Sequence, residues 1–267
     1  MPEGDTVFRT ARRLDAALAG RTLSRTQFRV PALATADLSG VQVPRTWTHG
    51  KHLFTELSPP LGGAARGAAR TLHTHLKMEG TWLTYRLGQP WTRPGSTARV
   101  VLESDDRQAV GFSLGVVELL DESQVDDLVR GLGPDLLSER FDADEAQRRL
   151  LAHAALPFVQ AVQNQSLMAG LGNMYACELA FLVGTHPATP LSRAPDVGRV
   201  VTLARRLLAQ NVTRAVQSTT GVLTRGRTTW VYRQQACRRC HSTVRVGPVG
   251  PVGAERTTYW CPRCQPG

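Results

Sequence analysis

Two groups of residues in this chain have the types and spacing to do chemistry. Near its C-terminal end, Cys237, Cys240, Cys261 and Cys264 read as CRRC, a 20-residue gap, then CPRC. Two thiolates spaced this way on a tight turn can face one ion, and two such turns supply a tetrahedron. One structural zinc ion is the expected occupant; the other pairing, two disulfides, is disfavoured in a cytoplasmic chain. At the other end, Pro2 and Glu3 stand directly behind Met1. With the methionine trimmed, Pro2 offers a secondary amine that can attack a carbonyl-equivalent carbon and form an iminium ion. Glu3 beside it can protonate an oxygen or shuttle a proton. The same two residues also suit a plain first helical turn, where an acid meets the positive end of the helix dipole.

The elements that must position these groups fall into three stretches. Residues 5–19, DTVFRTARRLDAALA, place Val7, Phe8, Ala11, Leu14 and Leu18 at helical spacing before Gly20. From about 21 to 125, short runs such as HLFTEL, RTLHTHL, ARVVLES and GVVELLD alternate with Gly, Pro, Ser and Asp, as antiparallel strands of a sandwich or barrel do. SPPLGGAARGAAR (58–70) reads as a mobile loop. Helical periodicity then runs through VDDLVRGL, DADEAQRRLLAHA, the long PFVQAVQNQSLMAGLGNMYACELAFLVG and DVGRVVTLARRLLAQNVTRAV, with THPATPLSRAP (185–195) as a connector. Cys177 stands alone in an apolar stretch and is expected in the core. The halves VRVGPVG and RTTYWC predict a β-hairpin within the cysteine module.

Composition sets the class. The chain has 267 residues, 42% of them hydrophobic and 20% charged, which is a globular balance. Lys plus Arg number 32 against 22 acidic residues, a net charge of +10 carried mostly by Arg, whose planar fork suits phosphate. A genome rich in G and C would also raise the Arg content, so the charge by itself is an even pointer to a nucleic-acid partner. No run approaches the roughly 18 apolar residues that span a bilayer, and charges interrupt the start of the chain. A cytoplasmic, nucleoid-associated protein with no membrane partner is expected.

Five motifs occur in order: MPEG at the start, HGKHL at 49–53, HLKMEG at 75–80, GLGNMY at 170–175 and ERTTYWCPRCQ at 255–265. Together they resemble the formamidopyrimidine-DNA glycosylase and endonuclease VIII family of bacterial base-excision repair enzymes, from residue 2 to residue 265. The resemblance implies an α+β fold. An N-terminal β-sandwich with a leading helix (1–125) would precede a helical domain with a helix-two-turn-helix (126–232) and a zinc-bound β-hairpin (233–267). It implies that Pro2 is the nucleophile at C1′, forming a Schiff base, and that Glu3 protonates the deoxyribose ring oxygen. Lys51 would contact the lesion's phosphate and support catalysis. Gly172 would allow close backbone approach to DNA, Asn173 would bond phosphate, and Arg256 would grip the phosphates flanking the lesion. Met78, otherwise a core methionine, would fill the stack vacated by an extruded base. The partner would be DNA carrying damaged bases or abasic sites, met by a monomer.

Departures from the family pattern locate the branch. Asp5 and Thr6 stand where many members have proline and glutamate. The region 105–120, DDRQAVGFSLGVVELL, lacks the PRRFG-type segment of formamidopyrimidine-DNA glycosylases. The stretch 217–232, QSTTGVLTRGRTTWVY, is short for a loop that caps a purine, and Asn164 replaces an expected Asp. Most of these point to the endonuclease VIII branch, which acts on oxidised pyrimidines by glycosylase and β,δ-elimination chemistry. A purine-directed glycosylase, an enzyme acting mainly on abasic sites, and a non-catalytic damaged-DNA-binding protein are the alternatives.

Overall fold

The computed structural model describes residues 2–59, 69–194, 196–251, 253 and 255–267. The chain divides into two compact units, Met1–Arg130 and Gly131–Gly267. The loop expected at 58–70 lies outside the described residues over 60–68.

The first unit begins with α1 (Gly4–Leu18), whose Val7, Ala11, Leu14 and Leu18 are buried as the period predicts. Two four-stranded antiparallel sheets follow. One has the order β1 (Arg25–Phe28), β6 (Ala98–Glu103), β7 (Arg107–Phe112), β5 (Thr81–Arg86). The other has the order β2 (Thr46–His49), β3 (His52–Leu57), β4 (Arg70–His75), β8 (Val116–Leu120), and α2 (Glu122–Arg130) closes the unit. The core joins the helix to both sheets: Val7, Ala11, Leu14 and Leu18 pack with Leu53, Leu57 and Leu72 from one and Phe28, Val100 and Leu102 from the other. Strands β3 and β4 thus turn Leu inward at alternate positions, and their outward parity carries His52, Phe54, His73 and His75.

Two ties set the direction of α1. The Gly20 amide donates to the Val43 carbonyl at 2.8 Å, and the Thr46 amide donates to Asp15 Oδ1 at 2.7 Å. Helix and strand therefore run in opposite directions from this point. Asp15 to Glu3 is about 18 Å of helix, and Thr46 to His49 is about 10 Å of strand, with Gly50 and Lys51 turning beyond it. The N-terminal end of α1 and the β2–β3 turn thus lie towards the same end of the unit.

The second unit holds α3 (Ala143–Ala152), α4 (Phe158–Gln163), α5 (Asn173–Leu182), α6 (Val197–Ala209) and the antiparallel hairpin β9 (Arg245–Val249) with β10 (Arg256–Trp260). The long apolar segment 157–184 is two helices, broken across 164–172. Gly170, at φ 121°, takes a conformation that side chains resist, and the segment cannot continue as one rod. The connector 185–195 contains one short 3₁₀ turn, Leu191–Arg193. Cys177 is fully buried, as expected. Among the described residues no helix is long and apolar enough to cross a membrane.

Leu14 is 1% exposed between the sheets. Leu14→Ala is expected to cost about 2–5 kcal/mol, read as a lower urea midpoint at unchanged slope.

Candidate functional site

In the first unit the sequence-predicted residues gather at one end of the β2-β3-β4-β8 sheet. Glu3 caps α1, and its carbonyl accepts the Thr6 and Val7 amides at 2.9 and 3.0 Å. It is fully buried, with Pro2 half-buried before it and Asp5 buried in the first turn. Lys51 occupies the tip of a two-residue hairpin, closed by the pair His49 and His52. Gly50 takes φ 58°, the positive value that a type II′ turn demands at its first central position. HGKH is therefore a turn whose glycine is required and whose lysine is presented. Pro2 and Glu3, at the start of α1, lie towards the same end of the unit.

Met78 is 62% exposed, which excludes the core role. Its turn is tightly built: the Lys77 amide donates to His75 Nδ1 at 2.9 Å, and the Gly80 amide donates to the Leu76 carbonyl at 2.9 Å. Lys77 itself lies in the left-handed region at φ 52°. Beneath it, β7 and β8 are joined by only Ser113, Leu114 and Gly115, and a Cβ on Gly115 would stand 2.2 Å from Lys77 Cγ. The PRRFG-type segment is absent from this short turn, and the three-residue turn supports the neighbouring one that carries Met78. The chain has only two lysines, Lys51 and Lys77, among 30 arginines. Both fall at this end of the sheet, a signal the motif reading passed over.

The imidazoles between them are held neutral. Burial pushes His52 down to about 3, with His73, His75, His49 and Lys51 adding repulsion. Burial likewise lowers His75 to about 4, with Lys77 and Lys51 next. Rings stack along the sheet: Trp47 on Phe54 at 4.4 Å, Phe54 on His73 and His73 on His52 each at 5.1 Å.

In the second unit the break between α4 and α5 is stitched by Gln165. Its Nε2 donates to the Gln163 and Leu171 carbonyls at 2.5 and 3.0 Å, and its Oε1 accepts from the Gly170 amide at 3.1 Å. Asn164 opens the turn by accepting from the Ser166 amide and hydroxyl at 3.0 and 2.8 Å. An aspartate would accept the same two bonds, so this departure leaves the turn intact. Gly172 is buried as the cap of α5. Asn173, half-exposed, donates through Nδ2 to the Thr257 carbonyl at 2.7 Å. This places it beside Arg256, the exposed first residue of β10. One of the amide's two donor hydrogens is thus committed to β10.

The structure also brings together residues that motif reading missed. Glu178, fully buried on α5, accepts from the Trp230, Val231 and Tyr232 amides at 2.7, 2.9 and 2.8 Å and from the Thr219 hydroxyl. Burial pushes its carboxyl up, against the downward pull of these four donors. Asn211 fastens the other end of the same loop, donating to the Ser218 carbonyl and accepting from its amide at 2.9 and 2.8 Å. The segment 217–232 is therefore pinned at both ends.

Cys237, Cys240, Cys261 and Cys264 have all four sulfurs within 4.8 Å of one another, and neither pair is a disulfide. Cys237 and Cys264 are 3.9 Å apart and Cys240 and Cys261 3.4 Å. Four thiolates about 2.3 Å from a zinc ion would stand about 3.8 Å apart. The Arg239 and Cys264 amides point at the Cys237 and Cys261 sulfurs, each at 3.4 Å, as donors to thiolate do. The four cysteines therefore fit a metal ion, and their closed donor set leaves no position for a reacting water.

The same arrangement of elements occurs in solved DNA glycosylases. The crystal structure of Lactococcus lactis formamidopyrimidine-DNA glycosylase on DNA with an abasic site overlays at a TM-score of 0.76, with 21% identity and full coverage of both chains. That likeness establishes a shared fold. Residues 1–113 match the formamidopyrimidine-DNA glycosylase N-terminal domain family. A DNA-(apurinic or apyrimidinic site) lyase of Mycolicibacterium smegmatis is 43% identical over 267 residues, covering 99% of each chain. Endonuclease 8 2 of Mycobacterium tuberculosis is 39% identical over 271 residues, covering 99% of this chain and all of that one. The chain belongs to the formamidopyrimidine-DNA glycosylase and endonuclease VIII family, in its endonuclease VIII branch.

Two outcomes are expected. Glu178→Ala removes the acceptor for three consecutive backbone amides and should cost about 3 kcal/mol or more, seen as early unfolding of the second unit in hydrogen exchange at 217–237. The histidines bear on acid stability. An unfolded histidine titrates near 6.5, and folded His52 and His75 near 3 and 4. Between those values the unfolded chain binds more protons, so stability must fall as pH drops below about 6.5. His52→Phe, which keeps the stack, should flatten the fall in melting temperature between pH 7 and pH 4.5.

Proposed function

We propose that this protein is a monomeric, cytoplasmic DNA repair enzyme that excises oxidised pyrimidines and then cleaves the resulting abasic site. The Pro2 amine attacks C1′ of the damaged nucleoside, the N-glycosidic bond breaks and the base leaves with its electron pair and a proton. Glu3, the buried carboxyl beside it, protonates the ring oxygen, and the C1′–O bond opens to an iminium ion on Pro2. Loss of a C2′ proton then expels the 3′ phosphate, and a second elimination expels the 5′ phosphate, leaving a one-nucleotide gap. Lys51, at the rigid hairpin tip, neutralises phosphate at the lesion. Met78 fills the space the extruded base leaves. Asn173 and Arg256 hold the DNA backbone, and Gly172 lets the strand approach. The four cysteines would hold one zinc ion, which fastens the hairpin carrying Arg256 and takes no part in the chemistry.

The observation that supports this reading is a proline followed by a fully buried carboxylate, Glu3, at the start of α1, towards the same end of the unit as the Lys51 turn. The pyrimidine preference is supported by the three-residue β7–β8 turn, which has no length for an arginine–phenylalanine device opposite the lesion. A second reading, abasic-site cleavage as the main activity, is favoured by the name of the Mycolicibacterium smegmatis relative.

Borohydride trapping on duplexes with thymine glycol, 8-oxoguanine or an abasic site separates these readings. Trapping on thymine glycol supports pyrimidine excision, trapping on the abasic duplex alone supports the second reading, and trapping on 8-oxoguanine in preference overturns the branch assignment. Glu3→Gln should slow base release by about 100-fold or more while leaving DNA affinity nearly unchanged. If Pro2→Gly trapped normally while Lys51→Ala did not, the nucleophile would be misassigned.

A further inference from the structure

The outer face of the β2-β3-β4-β8 sheet carries a row of groups that the proposed chemistry does not use. His52 Nδ1 lies 2.9 Å from His73 Nε2, and His73 Nδ1 lies 3.0 Å from Glu118 Oε2. The three residues come from adjacent strands, with His73 directly opposite Glu118 on β8 and Phe54 on β3. A carboxylate oxygen only accepts, so His73 carries its proton on Nδ1 and presents Nε2 as a lone pair. His52 must then donate through Nδ1, which leaves its own Nε2 as an acceptor on the side of the ring away from His73. His75 has the opposite assignment: its Nδ1 accepts the Lys77 amide, so its proton sits on Nε2. Burial lowers all three imidazoles, which keeps each ring neutral and its tautomer defined.

His52 is also the residue that closes the hairpin behind Lys51. Glu118 at the far end of the chain is 54% exposed and His73 only 3%. The row therefore runs from solvent, through a buried ring, to the strand end that presents one of the two lysines. A second ammonium, Lys77, stands on the adjacent turn, and a charged imidazole between them would add a third cation to a site that must hold both in place.

We propose that Glu118, His73 and His52 form a positioning chain for Lys51, which fixes His52 as a neutral Nδ1–H tautomer and holds the hairpin tip in the geometry that meets DNA phosphate. This rests on the reading of Lys51 given above. The chain acts through Lys51 and touches neither the reacting atoms nor the departing base.

The test pairs a spectroscopic readout with a kinetic one. Long-range proton–nitrogen spectra of the ¹⁵N-histidine protein at neutral pH should show His73 and His52 protonated on Nδ1 and His75 on Nε2. In Glu118→Ala, His73 and His52 should leave the Nδ1–H form, and the single-turnover trapping rate on an abasic duplex should fall roughly tenfold, as small misplacements of a working group produce. Affinity for a duplex carrying a tetrahydrofuran abasic analogue should fall with it, at unchanged melting temperature. Glu118→Gln keeps an acceptor oxygen and should recover most of the rate and the wild-type tautomers. His52 found as the Nε2–H tautomer in the unaltered protein overturns the proposal, as does a Glu118→Ala protein with altered tautomers but unchanged rate and affinity. Failure of the unaltered protein to trap any duplex would instead count against the enzymatic reading, and the tautomers and analogue affinity would still decide the chain.

Discussion

A carboxylate with no access to water organises the second unit. Glu178 sits in the middle of α5, a helix buried on nearly every side, where an ionisable group without partners would cost several kcal/mol. Its partners are three consecutive backbone amides and a hydroxyl from a segment 41 to 54 residues further along. Residues 230–232 cannot leave the helix without stranding both the carboxylate and the amides. Those residues lead directly into the first cysteine pair, whose sulfurs share a packed cluster with Phe181 of the same helix. At the helix end, Gln265 donates to the Thr185 carbonyl at 2.9 Å and accepts the Cys261 amide at 2.9 Å. Asn173 at the helix start holds β10. One helix thus sets the positions of a turn, a loop and a cysteine hairpin.

The first unit is organised differently, by strand register. A shift of one residue would turn His52, Phe54 and His73 inward and Leu53, Thr55 and Leu72 outward. The leucines of the core therefore decide which way the histidines face. The groups at the sheet's end (a lysine on a two-residue turn, an exposed methionine on another) inherit their accuracy from apolar packing that has no chemical function of its own.

Much of this was legible in the sequence, for physical reasons that can be named. The four cysteines announce their geometry because short spacing constrains thiolates locally. The first helix and the strands follow from alternation and period, whereas the tight turn within HGKH emerges only once β2 and β3 are paired. Glu178 gave no such signal, since a lone acid in an apolar helix has partners only after the chain returns from residue 219 onward. His52, His73 and Glu118 are likewise separated by 21 and 45 residues and meet through pairing register alone. The long stretch 157–184 reads as one helical period, and only Gly170 and Gly172 mark where it divides.

The β2–β3 turn has a consequence of its own. With two residues at the tip and a closed backbone pair behind them, there is almost no loop whose conformations must be searched when Lys51 meets a partner. The disorder to be removed is confined to the torsions of one side chain, about 2 kcal/mol at most. A charge carried on a longer loop would add roughly 1–2 kcal/mol for every backbone residue that had to be ordered with it. Shortness here is a form of readiness: most of the entropy of presenting the ammonium is lost when the protein folds, before any partner arrives.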